Sequence, residues 1–164
     1  MRKVALTLMC LTFVSVFAQN AQSLPDLVLK DLNGKNKNVS DYSKSGKITI
    51  ISFWATWCSP CVKELSNIQG LIDDWRNNYD VQLVAVTIDN AKNSLKVKPF
   101  VEGKGWDYDV LFDINEDLKR ALNAPSVPYT ILLDKTGKIV YTHNGYVEGD
   151  EFELEKKIKE IAKK

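Results

Sequence analysis

Apolar and polar positions change period several times along this chain, and each change marks an element. Pro25 to Asp31 alternates, with Leu27 and Leu29 on one side, and predicts a first strand. Asn33-Gly34 is a hairpin turn signal that places Val39 on the returning arm. Ser43 to Gly46 is polar and predicts a loop. Lys47 to Phe53 and Val81 to Ile88 are apolar and β-branched, and both predict buried strands. Between them Val62, Leu65, Ile68, Leu71, Ile72 and Trp75 recur at helical spacing, which predicts one helix from Ser59 that fades at Asn77-Asn78. Asn93 to Val101 predicts another helix, limited by Pro99 and ended by Gly103-Lys104-Gly105.

The pattern continues with a short strand over Val110 to Phe112. Asn115 to Leu122 predicts a short helix, with Asn115 as its cap and Glu116 and Asp117 in its first turn. Tyr129 to Leu133 and Lys138 to Thr142 predict a hairpin across Asp134-Lys135-Thr136-Gly137. Phe152 to Ala162 predicts a terminal amphipathic helix with Phe152, Leu154, Ile158 and Ile161 as its apolar set. Strands alternating with helices imply the α/β class: a mixed, partly parallel central sheet with helices on both faces. There is no internal repeat and no linker, and 164 residues suit one domain.

The first residues read as a leader. Arg2 and Lys3 precede an apolar run from Val4 to Phe17, and Val16-Phe17-Ala18 suits a signal peptidase. The run is shorter than the ~20 residues of a spanning helix, and Thr7, Thr12 and Ser15 dilute it. The expectation is a signal peptide over 1–18, cleaved after Ala18 in preference to Ala21, and a single domain over 19–164. That implies an exported protein, with the periplasm as its location. Cys10 leaves with the leader. The remaining chain holds two cysteines, Cys58 and Cys61, and one histidine, His143. The 22 basic and 21 acidic residues give a net charge of +1, or −1 without Arg2 and Lys3. A balance so near neutral excludes a dedicated nucleic-acid binder, which needs a basic face.

Cys58-Ser59-Pro60-Cys61 joins the strand ending at Phe53 to the predicted helix. A helix N-terminus offers N–H groups and a positive dipole end, which favour a thiolate there. A structural zinc site needs four ligands, and Cys and His supply at most three here. Most iron–sulfur clusters need four cysteines, and Val62 stands where covalent haem attachment requires His. A purely structural disulfide would close only a tiny loop and stabilise little. Thiol–disulfide exchange remains, with no metal and no cofactor beyond the redox-active Cys58–Cys61 pair itself. Cys58, the N-terminal member, is expected to be the more exposed nucleophile at the helix mouth. Cys61, one turn deeper, is expected to resolve the mixed disulfide.

Phe53-Trp54-Ala55-Thr56-Trp57-Cys58-Ser59-Pro60-Cys61 closely resembles the active-site strand and turn of the thioredoxin superfamily. Ser126-Val127-Pro128-Tyr129-Thr130 resembles the loop whose proline is cis in that superfamily, and Ile131 to Val140 the hairpin after it. Gly145 falls where the superfamily has a glycine near the active site. The leader, the N-terminal hairpin and the segment from Asn90 to Asp113 resemble the exported TlpA/ResA branch. The resemblance implies a thioredoxin fold with an N-terminal β-hairpin and a central insertion, acting as a thiol–disulfide oxidoreductase that reduces protein disulfides. It implies that the Val127 backbone pairs with substrate beside Pro128, and that electrons arrive from a membrane dithiol donor. A monomer is expected.

Thioredoxins carry a buried Asp where this chain has Ser52, whereas the exported branch carries a Glu at the position of Glu64. The resemblance thus implies that Glu64 takes the proton of Cys61. Ser59 and Pro60 are expected to tune the reduction potential. Trp54 and Trp57 are read as rim or core, Trp57 being the better surface residue. Gly145 is either a simple turn glycine or a point of substrate approach, and His143 is a strand or surface histidine. Two rival chemistries would leave their own signatures. A thiol peroxidase of the peroxiredoxin type would carry Pro-x-x-x-Thr-x-x-Cys, and no such motif appears around Ser52 and Ala55. A copper-delivery protein would use Cys-x-x-x-Cys, one residue longer than the spacing here.

Overall fold

The computed structural model describes residues 23–163, so the predicted leader lies outside the described residues. Among the described residues seven strands form one mixed sheet: β1 (Val28–Asp31), β2 (Asn36–Asn38), β3 (Ile48–Trp54), β4 (Val81–Thr87), β5 (Asp109–Phe112), β6 (Tyr129–Leu133) and β7 (Ile139–Asn144). Their order across the sheet is β2-β1-β5-β4-β3-β6-β7. β3, β4 and β5 run parallel. The N-terminal hairpin and the β6–β7 hairpin flank them antiparallel. Among the described residues the α-helices are α1 (Val39–Ser43), α2 (Ser59–Gln69), α3 (Ile72–Tyr79), α4 (Val97–Lys104), α5 (Asp117–Ala121) and α6 (Asp150–Ala162).

Every residue of β3 is buried, and its alternation sorts the core into two halves. Ile48, Ile50 and Trp54 face one half with Leu65, Ile68, Ile72, Trp75, Val97, Val101, Leu154 and Ile158 from α2, α3, α4 and α6. Ile51 and Phe53 face the other half with Val39 and Tyr42 of α1 and Leu118 of α5. Side chains two apart on a strand share a face, so Ser52 points toward α2. That parity positions the site described below.

The structure departs from the sequence expectation in several places, among them α4, which starts at Val97 rather than Asn93 and runs through Pro99 and Gly103 to Lys104. The first strand starts at Val28 rather than Pro25, and Val39 opens α1 instead of extending the hairpin. Asn38 caps that helix by accepting from the Ser40 N–H. The long helix from Ser59 is two helices. At Gly70 and Leu71 the N–H groups turn to carbonyls only three residues back, Asn67 and Ile68, which tightens the chain and redirects it. α5 starts at Asp117 and is not capped by Asn115; the Asp113 carboxylate instead accepts from the Leu118 and Lys119 N–H groups at 3.1 and 2.9 Å. α6 begins earlier, at Asp150, and Phe152 is 59% exposed. Its buried stripe passes through Glu151, Leu154 and Ile158 at spacings of three and four, one position round the helix from Phe152.

Candidate active site

β3 delivers the chain to the site, and the end of β4 holds it there. The Ile88 N–H donates to the Trp54 carbonyl at 2.9 Å. The Asp89 carboxylate, fully buried, accepts from the Thr56 N–H at 2.8 Å and the Thr56 hydroxyl at 2.7 Å. The Thr87 hydroxyl also donates to it, at 2.7 Å. The active-site turn Ala55-Thr56-Trp57 is thus tied to the neighbouring strand before the cysteines are reached. Sequence reasoning missed Asp89; its signal is a carboxylate placed directly after the apolar run Val81 to Ile88.

Cys58 is the N-cap of α2, with Ser59 and Pro60 opening the helix. Pro60 stands where its missing N–H would have no intrahelical partner. Cys58 and Cys61 form a disulfide with Cα atoms 5.3 Å apart, and Cys58 Sγ accepts from the Cys61 N–H at 3.3 Å. Cys58 is 5% exposed and Cys61 is sealed. The order of exposure follows the sequence expectation, but Cys58 is far less open than a residue at a helix mouth suggests, because it too packs in the α2 half of the core. Trp57 beside it is 61% exposed, and Ser59 and Pro60 are also at the surface. Trp54 is core. It packs edge-on against Trp106 with ring centroids 5.0 Å apart and touches Phe100, while Trp106 stacks on Tyr108. Those three aromatics come from the central insertion, which therefore backs the active-site strand.

The Val127–Pro128 peptide bond is cis. Tyr129, the next residue, pairs with Phe53, so this loop lies level with the end of β3 where the turn to Cys58 starts. Pro128 is buried and Val127 half-buried. The Gly145 N–H donates to the Pro128 carbonyl at 2.9 Å, and Gly145 has φ +88 with open space where a Cβ would stand. Among the candidate residues, then, Trp57, Ser59 and Pro60 rim the disulfide on one side, and Val127 and Pro128 flank the strand that carries it.

Glu64 sits one turn beyond Cys61 on α2 and is 4% exposed. Residues three apart on a helix share a face, and both point into the sheet. Ser52 and Thr130 are register partners across β3 and β6, and both hydroxyls donate to the Glu64 carboxyl, at 3.3 and 2.7 Å. Burial pushes Glu64 up to about 7, although the hydrogen bonds from Thr130 and Ser52 pull the other way. The Ser52 that replaces the thioredoxin carboxylate is therefore part of the cradle for a carboxyl supplied from the helix. Thr130 completes it, and its polar side chain among Ile131, Leu132 and Leu133 is the signal that sequence reasoning passed over.

The model of the AhpC/TSA family matches residues 21–142, about three-quarters of the chain. The chain belongs to the AhpC/TSA family. Within that family it is similar to the thiol-disulfide oxidoreductase ResA of Geobacillus kaustophilus, 32% identical over 79% of this chain and 71% of the relative. It is 35% identical to the thioredoxin-like protein YneN of Bacillus subtilis, over 82% of this chain and 77% of the relative. A solved structure, that of a thioredoxin-like protein from Porphyromonas gingivalis, superposes with a TM-score of 0.76 at 47% identity, covering 85% of this chain and 92% of the other. The fold is thioredoxin-like, as the motifs implied. The chain is a thiol–disulfide oxidoreductase of this family, and its Cys-x-x-Cys pair at the start of α2 fits a redox-active disulfide.

Proposed function

We propose that this oxidoreductase is an exported reductase of protein disulfides, with the Cys58–Cys61 dithiol as its working form and no further cofactor. The observation that carries the reading is the stacking of three groups along one helix: Cys58 at the N-cap, Cys61 one turn in, and the buried carboxyl of Glu64 one turn further. At the N-cap a sulfur accepts from a helix N–H and faces the positive end of the dipole, which favours its thiolate.

The reaction then runs in two displacements. The Cys58 thiolate attacks one sulfur of a substrate disulfide and forms a Cys58–substrate bond, and the other substrate sulfur leaves with the electron pair. Glu64 accepts the Cys61 proton, and the Cys61 thiolate attacks Cys58 Sγ. The Cys58–Cys61 bond forms, the Cys58–substrate bond breaks, and the second substrate sulfur leaves as a thiolate. Two electrons have passed to the substrate. A membrane dithiol donor would return the pair to its reduced form by the same exchange in reverse. Val127 and Pro128, level with the end of β3, and the exposed Trp57, Ser59 and Pro60 form the surface on which an extended peptide would lie.

A leader over 1–18, cleaved after Ala18, would place the monomeric domain in the periplasm. Among the described residues no helix is long and apolar enough to cross a membrane.

Insulin reduction tests the reading. Cys58→Ala is expected to abolish it, and Cys61→Ser to accumulate a mixed disulfide through Cys58. A Cys58→Ala protein as active as the parent overturns it. The reduction potential measured against glutathione decides direction: a value near thioredoxin's, about −270 mV, supports a reductase, and one near −120 mV reverses it.

A further inference from the structure

Glu64 is almost sealed, yet on the role proposed for it above it must gain and lose a proton in every cycle. The two groups that touch its carboxyl are hydroxyls, Ser52 and Thr130. Neither can hold an extra proton near neutral pH, so they orient the carboxyl without relieving it. The proton needs a next carrier.

The sheet supplies one. Thr130 is the register partner of Ser52 on one side and of His143 on the other, so Ser52, Thr130 and His143 form one row across β3, β6 and β7. Register partners point to the same face, and neighbouring strands lie about 5 Å apart. His143 is therefore the next side chain after Thr130 on the face that α2 and α6 cover. A small cavity lies between these elements, lined by Glu64, Thr130, His143 and Asp150 and by the apolar Ile68 and Leu154. It leaves about 10 Å³ for the centre of a water, which is room for one molecule.

We propose that His143, held by Asp150, carries the proton between Glu64 and solvent across this one-water cavity. His143 Nε2 lies 3.0 Å from Asp150 Oδ2, and Asp150 is itself fixed by the Val147 N–H at 2.8 Å. The ring lies parallel to Tyr141, 6° apart, with centroids separated by 6.3 Å. Asp150 thereby holds one imidazole nitrogen, and both residues line the cavity together with Glu64. The side chain is 35% exposed, so one end of the route is wet while the other is sealed. Imidazole both takes and gives a proton near neutral pH, and His143 is the only histidine in the chain.

The remaining charged and titratable groups around the cavity have other work. Glu151 accepts from Tyr146, from Asn67 and from the Gly149 N–H. On the Glu64 side stand Cys61 and Tyr108, whose hydroxyl donates to the Leu65 carbonyl. On the outer side Glu153 and Lys157 of α6 lie near Tyr141. The charges of His143 and Asp150 are felt at Glu64 in opposite senses, the first favouring the carboxylate and the second opposing it.

The proton balance is simple. Cys61 gives its proton to Glu64 as it attacks Cys58. The Glu64 acid gives that proton to the cavity water, which passes one to His143, and His143 releases one to solvent. When the disulfide is reduced again the route runs backwards.

The test reads proton exchange at Glu64 directly. In protein carrying carbon-13 at the glutamate carboxyls, the Glu64 signal is followed through its titration. In the parent a single averaged signal is expected. In His143→Gln, proton exchange is expected to slow by about tenfold or more, below the full range of 10²–10⁴ for a group transferring a proton in a reaction, and the signal should broaden or split. Added free imidazole should restore the averaged signal. Asp150→Asn should slow exchange less, because the ring loses its anchor and keeps its chemistry. Unchanged exchange in both variants overturns the proposal. The Glu64 reading fails separately, if Glu64→Gln leaves thiol exchange at the parent's rate across neutral pH.

Discussion

Replacing Glu64 by Gln keeps the side chain's shape and removes its charge, so it isolates what ionising this buried carboxyl does to the fold. Burial raises Glu64 from 4.5 to about 7. Between those values the folded chain keeps a proton that the unfolded chain has released. Stability attached to this proton is fully present below 4.5 and is lost as pH rises through about 7. Each tenfold step in a proton equilibrium is worth about 1.4 kcal/mol, so the loss is on the order of 3 kcal/mol. The Gln variant cannot incur it. Its amide can still accept from one hydroxyl of the Ser52–Thr130 pair and donate to the other, since hydroxyls rotate.

The assay is urea unfolding of the oxidised protein at several pH values, with the two proteins compared at each. The comparison cancels carboxylates that titrate identically in both, such as Asp134, where burial is outweighed by hydrogen bonds from Thr136 and Lys138, and Asp107, which the Arg76 hydrogen bond holds below the usual range. Near the acid end the two curves should nearly coincide. At about pH 8 the variant should be the more stable by on the order of 3 kcal/mol. A difference that does not change with pH refutes the reasoning, because it would mean that Glu64 ionises in the fold as easily as in the unfolded chain.

Two further substitutions probe how the site is held. Asp89→Ala removes the acceptor for both Thr56 groups and for the Thr87 hydroxyl, and should cost on the order of 2–4 kcal/mol in urea unfolding. A loss under about 0.5 kcal/mol, within the range of an ordinary surface change, would show that the active-site turn needs no tie to β4. Gly137→Ala places a Cβ 2.2 Å from the Ser43 carbonyl oxygen at a φ of +81, so the β6–β7 turn must move off α1. A loss of at least about 2 kcal/mol is expected, and unchanged thermal unfolding would refute the contact.

The site was more legible than the connections that support it. Cys-x-x-Cys between a β-branched strand and a helical period carries its chemistry in four residues, and the structure keeps that order of elements. The apolar, β-branched run of β3 likewise announced a buried strand. What escaped was settled by tertiary contacts. Gly70 inside an apolar period looks tolerable, yet the chain turns there because α2 and α3 each follow a different part of the sheet. Asn115 has the composition of a cap, but Asp113 at the end of β5 reaches the α5 N–H groups first. Phe152 has the hydrophobicity for the core, and Glu151 occupies the stripe because Tyr146, Asn67 and Gly149 satisfy its carboxylate. Asp89 and Thr130 are single polar residues in or after apolar runs. Their meaning depends on which strand lies alongside, and no local pattern contains that information.

The energy that ionised Glu64 takes from folding has a counterpart in the proposed reaction. An ordinary thiol titrates near 8.5 and an ordinary glutamate near 4.3, so passing a proton from one to the other costs roughly 6 kcal/mol. With Glu64 at about 7 the same transfer from an ordinary thiol costs only about 2 kcal/mol. The difference is close to the stability lost above neutral pH, because both quantities measure one thing: how poorly this cradle solvates a carboxylate. Two hydroxyls from paired strands are enough to hold the ion in place and too few to make it comfortable. A third donor would stabilise the fold at neutral pH and weaken the base by a similar amount. Burial, offset in part by Ser52 and Thr130, thus sets both numbers together, and a variant that raises stability at neutral pH through this cradle should lose thiol-exchange rate, by a smaller factor than the stability it gains because rate follows basicity only fractionally.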